Sequence, residues 1–400
     1  MQGTGFFPRQ EVFMRQRNVW VRIAGIITMT MLLLAGWSAF VLSGWLPDGI
    51  GQTAACLVAG FNVLSVLALL LAQRSGHHVP GGIILVQVMT AVFVWELLFD
   101  LIGTLLGTML WIGNLLLDWN VAFSSGGYLL LCFTAVLGIY SVFVEPHLLD
   151  RNRFRIAVPG LAKVLSGFTI AQISDIHLGA MVPISMLKRL LDEAAGQSPD
   201  VLVITGDLFD SPHNEVNDEA ARLLDRYAAR FPEGIYYVWG NHEYYRDTEA
   251  ISRSLKAVRV HELRNSRRMV KAGASPLYFA GVDYPVTQGV MNLGHTGFVE
   301  QACRDVPSEA VLVILAHHPD FFEEARKAGA ILTLSGHTHG TQLGLFGHTL
   351  LPFFKYNRGL YEQDGCYCYV HKGDGGRFPF RLGCMPEIAY FTLESSDNGN

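Results

Sequence analysis

Five short polar motifs carry the residue types that could do chemistry. They are Asp175-Ile176-His177, Gly206-Asp207-Leu208-Phe209-Asp210, Gly240-Asn241-His242-Glu243, His317-His318-Pro319 and Gly336-His337-Thr338-His339-Gly340. Carboxylate oxygens and imidazole nitrogens suit Zn²⁺, Mn²⁺ or Fe²⁺. Asp207 has two oxygens and can bridge two ions about 3.5–4 Å apart. Gly206 before it permits close backbone approach. Asn241 offers a neutral carbonyl oxygen, which limits the negative charge given to the cations. His337 and His339 are one residue apart, so in an extended loop they point to opposite sides and can serve different ions. Two divalent ions sharing one carboxylate predict hydrolysis of a phosphate ester or anhydride by a metal-activated water.

The elements that must position these motifs follow from hydrophobic pattern. Residues 168–174, 201–205, 235–238, 277–282, 311–316 and 331–335 are short apolar strands, and 184–195 and 215–229 have helical spacing. Strands apolar throughout imply sheets covered on both faces. The motifs fall where strands end, which is where α/β sheets place ligands. A basic stretch punctuated by Pro and Gly, within 148–167, reads as a connector ahead of this domain at 168–395.

The remaining part, 1–147, is different. The chain has 400 residues, of which only 16% are charged, and its mean hydropathy is +0.28. Apolar runs lie at 23–46, 54–72, 83–117 and about 121–144. About 20 apolar residues cross a bilayer as a helix, so four membrane spans are expected, the third long, tilted or partly re-entrant. A fifth would arise only if it broke near residues 103–107. Arg9, Arg15, Arg17 and Arg22 precede the first run, Arg74 follows the second, and Arg151, Arg153 and Arg155 follow the last. Positive charge marks the cytoplasmic side, so the expected location is a multi-pass inner cell membrane protein with the C-terminal domain in the cytoplasm. Glu96 and Asp100 share a helix face; intramembrane carboxylates are often functional, so they are expected to line a polar groove or bind an ion, the alternative being that they sit near an interface or pair with a polar neighbour such as Gln87.

The motifs in this order, D-x-H, G-D-x-x-D, G-N-H-E, H-x-P and G-H-x-H, resemble those of the calcineurin-like metallophosphoesterase superfamily over about residues 168–395. The resemblance implies an α/β (α+β) metallophosphoesterase domain of two packed mixed β-sheets flanked by helices, here behind an N-terminal all-α transmembrane bundle. It implies two divalent metal ions, Mn, Zn, Fe or Mg. One would be held by Asp175, His177, Asp207 and His339, the other by Asp207, Asn241, His317 and His337. A metal-bridging hydroxide would attack phosphorus. The match gives His242 the role of contacting the phosphoryl oxygen or protonating the leaving group, and Asp210 that of orienting His242. Glu243 is expected to cap or support the following helix. His318 is a weaker ligand choice than His317. His213, His261, His295, His348 and His371 are read as ordinary structural histidines.

Within the superfamily, Ser211-Pro212 stands where Ser/Thr protein phosphatases have arginine, which argues against that substrate class. The segment from Gly383 to Ile388 resembles the closing Gly-x-x-Pro-Glu-Ile of the membrane-associated branch of YaeI/YkuE-type phosphodiesterases and transmembrane metallophosphoesterase-domain proteins. In that branch Gly-Gly-Gln follows His-x-His; here it is Gly340-Thr341-Gln342. Related hydrolases cleave UDP-2,3-diacylglucosamine in lipid A biosynthesis, so a lipid-linked phosphodiester or pyrophosphate at the lipid bilayer is the expected substrate. A soluble nucleotide or generic small-molecule phosphodiester is the alternative. A catalytically silent metal-binding sensor or scaffold would normally have lost a ligand or the histidine at 242. A transporter would show more polar residues and an internal repeat in its spans. A net charge of −5 with no basic stripe gives no expectation of nucleic acid. The six cysteines lack disulfide or zinc spacing and read as reduced thiols.

Overall fold

The computed structural model describes Met29 and residues 33–34, 36–47, 49–75, 82–122, 124–179, 181–271, 276–287, 290–291, 297–376 and 378–396. The chain divides into two compact units, Met1–Tyr140 and Ser141–Asn400.

In the first unit, residues 36–45, Ile50–Ser75, Gly82–Leu117 and Ser124–Ile139 are helical. Among the described residues, two stretches are long and apolar enough to cross a membrane, Ile83–Leu117 and Gly126–His147; Ile50–Ser65 is a shorter apolar stretch. Residues 23–28, 30–32 and 35 of the first expected span, and the arginines before it, lie outside the described residues. Residues 82–117 form one unbroken helix of 36 residues, about 54 Å long at 1.5 Å per residue, with no break at 103–107. Trp45, Leu46, Phe99 and Leu130 form its packed core. Glu96 and Asp100 are both buried. Their partners are Ser38 and Asn62: the Ser38 hydroxyl lies 2.8 Å from Glu96 and 2.5 Å from Asp100, and the Asn62 amide donates to both oxygens of Glu96.

Among its described residues the second unit has sixteen strands: β1 (Asp150–Val158), β2 (Thr169–Ile173), β3 (Val201–Thr205), β4 (Ile235–Val238), β5 (Val260–Glu262), β6 (Ser266–Lys271), β7 (Leu277–Val282), β8 (Val286–Thr287), β9 (Val290–Met291), β10 (Val311–Ala316), β11 (Leu332–Ser335), β12 (Gly344–Leu345), β13 (His348–Thr349), β14 (Gly359–Gln363), β15 (Cys366–Val370) and β16 (Glu387–Ser395). One mixed sheet runs β1-β16-β2-β3-β4-β5 and the other β14-β15-β11-β10-β7-β6.

Alternation along the strands explains the layering. On β3, Val201 and Val203 face the core between the sheets, while Leu202 and Ile204 face the helices Ile184–Gly196 and Asn214–Ala228. On β10, Val311, Val313 and Leu315 face inward, and Leu312, Ile314 and Ala316 face an outer layer that includes Val299 and Ala325. The result is helix, sheet, sheet, helix: two packed mixed sheets flanked by helices.

Residues 150–158 are not a connector. They form edge strand β1, paired in parallel with β16. Arg151, Arg153 and Arg155 are exposed on one face while Ile156 and Val158 are buried on the other, and that arginine-rich alternation hid a strand. The stretch 344–376 likewise holds two hairpins, β12–β13 and β14–β15.

Phe279 fills the core between the sheets, its ring 5.0 Å from Tyr236. Phe279→Ala should destabilise the domain by about 3–5 kcal/mol, measured as a fall in the unfolding midpoint of the detergent-solubilised full chain.

Candidate metal centre

The parallel strands β2, β3 and β4 in one sheet, and β10 and β11 in the other, deliver all five motifs from their carboxyl ends. Asp175 and His177 follow β2, Asp207 follows β3, Asn241 and His242 follow β4, His317 follows β10, and His337 and His339 follow β11. The loops are stitched by main-chain bonds: Asp175 N–H to Gly206 O, His177 N–H to Asp207 O and Gly336 N–H to His317 O. Gln172, buried in the core, bridges the two sheets below the site by donating to the Thr205 hydroxyl and to Ser335 O.

Five of these residues, Asp175, His177, Asp207, His337 and His339, have left-handed backbone with φ between 51° and 71°. That conformation is uncommon for non-glycine residues and clusters at functional sites. Glycine is required beside them. A Cβ on Gly206, itself at φ 91°, would sit 2.6 Å from His317 Nδ1, and one on Gly336 would sit 2.2 Å from an Asp175 oxygen.

The side chains converge around Asp207. Asp207 Oδ2 lies 3.6 Å from His177 Nε2 and 3.3 Å from His317 Nε2. On one side, His177 Nε2 and His339 Nε2 are 3.1 Å apart, and His339 Nε2 is 3.5 Å from Asp175 Oδ1. On the other, His337 Nδ1 is 3.0 Å from Asn241 Oδ1 and 3.2 Å from His317 Nε2. Asp175 is also 3.9 Å from His317. All seven donors proposed from sequence are therefore brought together. Asp207 Oδ1 accepts the His242 N–H at 2.8 Å, and Oδ2 alone faces both histidine sets.

His318 turns elsewhere: its Nδ1 accepts from Asp320 N–H at the start of the turn Pro319–Phe321. His317 is fixed by its Nδ1, which donates to Thr205 O at 2.7 Å and leaves Nε2 directed at Asp207, where a bound cation would replace its proton. Such a partner sets the tautomer of a ligating histidine. His242 presents Nε2 toward Asp207 Oδ2 at 4.0 Å, with Nδ1 3.1 Å from Asp210 Oδ1. Asp210 does more than face His242. Its other oxygen is 3.5 Å from His177 Nδ1, and it accepts from the Arg246 guanidinium.

Two of these supporting residues were not assigned their roles from sequence. Arg246 left no signal. Glu243 does not cap the following helix: Thr248–Lys256 is capped by Asp247, which accepts from Ala250 N–H. Glu243 is fully buried and turns back to accept four main-chain N–H groups, from Asp207, Leu208, Phe209 and Gly240. Its position as the last residue of Gly-Asn-His-Glu was the only available clue. Asp374 braces the first motif from behind, accepting from Ser174 N–H at 3.0 Å.

The electrostatics suit cations. Burial alone would raise the Asp207 pKa, but His317 and His177 hold it well below the usual carboxylate range. Burial would lower His317, yet Asp207 and Asp175 raise it to about 10. Burial first, then His317 for His337 and His177 for His339, push these two well below the ordinary histidine range, so both stay neutral with lone pairs available. Buried imidazole nitrogens 3.1–3.2 Å apart beside an ionised carboxylate fit a divalent cation of the Mn, Zn or Fe type. The triads Asp175/His177/His339, His177/Asp207/His242 and Asp175/Asp207/His317 each bring three such atoms within 4.8 Å of one another.

Two facing sheets that present histidines and carboxylates on the loops after their strands define a metal-dependent hydrolase domain. Residues 168–349 match the family model of the calcineurin-like phosphoesterases. A metallophosphoesterase of Aquifex aeolicus is 33% identical over 275 residues, 66% of this chain and 100% of that one. The metallophosphoesterase YkuE of Bacillus subtilis is 29% identical over 64% of this chain and 90% of its own. A zebrafish transmembrane protein with metallophosphoesterase domain is 32% identical over 292 residues, 69% of this chain; the match spans 65% of the zebrafish protein. The chain belongs to the calcineurin-like phosphoesterases, a family of metal-dependent phosphoester hydrolases.

Glutamine at 243 would turn an N–H₂ group toward two of the four main-chain donors. Glu243→Gln should weaken metal binding roughly 10–100-fold, read by calorimetric titration with Mn²⁺, while the far-UV circular dichroism is unchanged. Gly206→Ala meets both a steric clash and a positive φ, and should lower stability by about 1–3 kcal/mol, measured by denaturant unfolding.

Proposed function

We propose that this chain is a membrane-anchored phosphoesterase that uses two divalent cations to hydrolyse a phosphodiester or pyrophosphate bond of a lipid-linked substrate. The observation that carries the two-cation reading is the position of Asp207 Oδ2 between two histidine sets. Asp175, His177 and His339 would complete one site, and Asn241, His317 and His337 the other. When bound, the cations supply Lewis acidity toward phosphoryl oxygens and lower the pKa of a water so that hydroxide is available at neutral pH.

The chain's own residues do the rest. Asp207 is held rigid by Glu243 through its own N–H and by the His242 N–H on Oδ1, so the shared oxygen keeps its direction. His242 faces the same carboxylate without being needed as a ligand, and Asp210 beside its Nδ1 orients the ring. Its Nε2, on the side of the shared carboxylate, is placed to hand a proton to the leaving oxygen. Arg246 fixes Asp210 in turn.

Membrane anchoring is supported by the helices at 83–117 and 126–147 and by the name of the zebrafish relative. We read the N-terminal part as four spans, with the domain on the cytoplasmic side of the inner membrane. A site tethered near a bilayer meets lipid-linked phosphoesters at high local concentration, which favours a substrate such as UDP-2,3-diacylglucosamine over a soluble nucleotide.

Purified full-length protein with added Mn²⁺ should release p-nitrophenol from the bis-p-nitrophenyl phosphate diester, and Asp207→Asn should lose both turnover and bound metal. His242→Ala should keep its metal, measured by atomic emission, while kcat falls roughly 10²–10⁴-fold. The substrate reading requires a higher kcat/KM for UDP-2,3-diacylglucosamine in mixed micelles than for the soluble diester. The reverse order would sink it.

A further inference from the structure

The hydrolase domain carries an apolar protrusion that its fold does not use. It lies immediately after the last metal-site motif. Strands β12 and β13 form a two-residue hairpin, with Leu345 paired to His348. The two turn residues, Phe346 and Gly347, both have positive φ, 49° and 81°. That is the geometry of a type I′ turn, which strongly favours Asn or Gly at its first position. Here a phenylalanine takes the strained place, and its side chain is 91% exposed. A bulky residue with left-handed backbone and no packing partner gains nothing for the folded domain itself.

Its neighbours extend the same surface. Leu345, Leu350 and Leu351 are about half exposed, Phe353 is 76% exposed and Phe378 is 62% exposed. They are held together by the main chain: Leu350 N–H donates to Leu343 O, Phe353 N–H to Leu351 O, and Gly344 N–H to Leu382 O. The Gln342 side chain donates to Phe378 O and Phe380 O, which brings the Phe378 segment against the base of the hairpin. The surface is continuous with the metal centre through Phe354, whose ring lies 5.5 Å from that of His337 and 5.9 Å from that of His318.

Exposed apolar patches of this kind mark contact with a protein, a membrane or a ligand. Two features favour a lipid surface. The patch is a protruding tip rather than a groove, which suits insertion into a fluid phase and not a shaped partner. The same chain also contains helices long and apolar enough to cross a membrane, so a bilayer is held near this domain by covalent connection. We propose that the hairpin 343–351, with Phe353 and Phe378, inserts into the bilayer interface and sets the mouth of the metal centre against the lipid headgroups. This rests on the membrane anchoring read above, and it adds the part of the domain that touches lipid.

The test uses full-length protein in phosphatidylcholine/phosphatidylglycerol proteoliposomes, with the photoreactive residue p-benzoylphenylalanine replacing Phe346, Phe353 or, as a control on β6 at the far edge of the second sheet, Met269. After irradiation, mass spectrometry should find phospholipid adducts at 346 and 353 and at least tenfold less at 269. Crosslinks to a second copy of the chain, no adduct, or equal labelling at 269 would overturn the proposal. A second measurement separates docking from chemistry. The Phe346→Ser/Phe353→Ser double variant should hydrolyse bis-p-nitrophenyl phosphate within twofold of wild type. Its turnover of a lipid-linked diphosphate presented in vesicles should fall at least tenfold, and equal turnover of both would count against docking. Lipid adducts from a protein that hydrolyses neither substrate would leave docking standing and remove the hydrolase reading.

Discussion

Everything in the C-terminal unit answers to one constraint: Asp175, Asp207, His177 and His317 are crowded together almost without access to water, with His337 and His339 half-buried beside them. Removing ionised carboxylates from water is costly unless opposite charge or hydrogen bonds replace the lost hydration. Main-chain N–H groups replace part of it. Asp175 accepts from His337 N–H and from the Ser174 hydroxyl, and Asp207 from His242 N–H. Cations bound between the histidine sets would supply the remainder. The glycines and left-handed residues follow from this crowding, because five loops can only meet at one point if their backbones turn sharply and approach within a Cβ radius of each other.

Glu243 shows how rigidity is built without direct contact with a donor atom. It is itself a buried carboxyl, and burial, then Asp207, raises its pKa, while the Phe209 N–H opposes that shift. Its four accepted bonds tie the loop after β3 to the loop after β4. Asp210 and Arg246 do the same between His177 and His242. The histidines are thus oriented by the side chains packed around them.

Much of this was legible in the sequence because each motif joins an apolar strand to a polar donor. Val201 to Thr205 could be nothing but a buried strand, and Asp207 two residues later could only lie at its end. The order of the five motifs also specified the family and the layered architecture. What stayed hidden depended on tertiary partners. β1 was masked because Arg151, Arg153 and Arg155 alternate outward and read as a charged linker until β16 is seen beside it. The role of Glu243 depends on main-chain donors 34–36 residues away in the chain, which no local pattern reports. Use of a single Asp207 oxygen on both sides follows from the His242 N–H, a main-chain group invisible to residue type. The partners of Glu96 and Asp100 lie on other helices for the same reason.

The placement of β16 has a consequence for biosynthesis. This strand, residues 387–395, lies inside the first sheet, between β1 and β2, and so separates two strands made more than two hundred residues earlier. Until it leaves the ribosome, β1 has no neighbour and the edge of β2 stands open. Chains emerge at about 5–20 residues per second, so for roughly ten seconds or more the nascent domain carries an unpaired apolar edge of the kind that invites aggregation. Closure of the sheet is therefore a late event of translation, and a nascent chain stalled before Glu387 would be a natural client for chaperones.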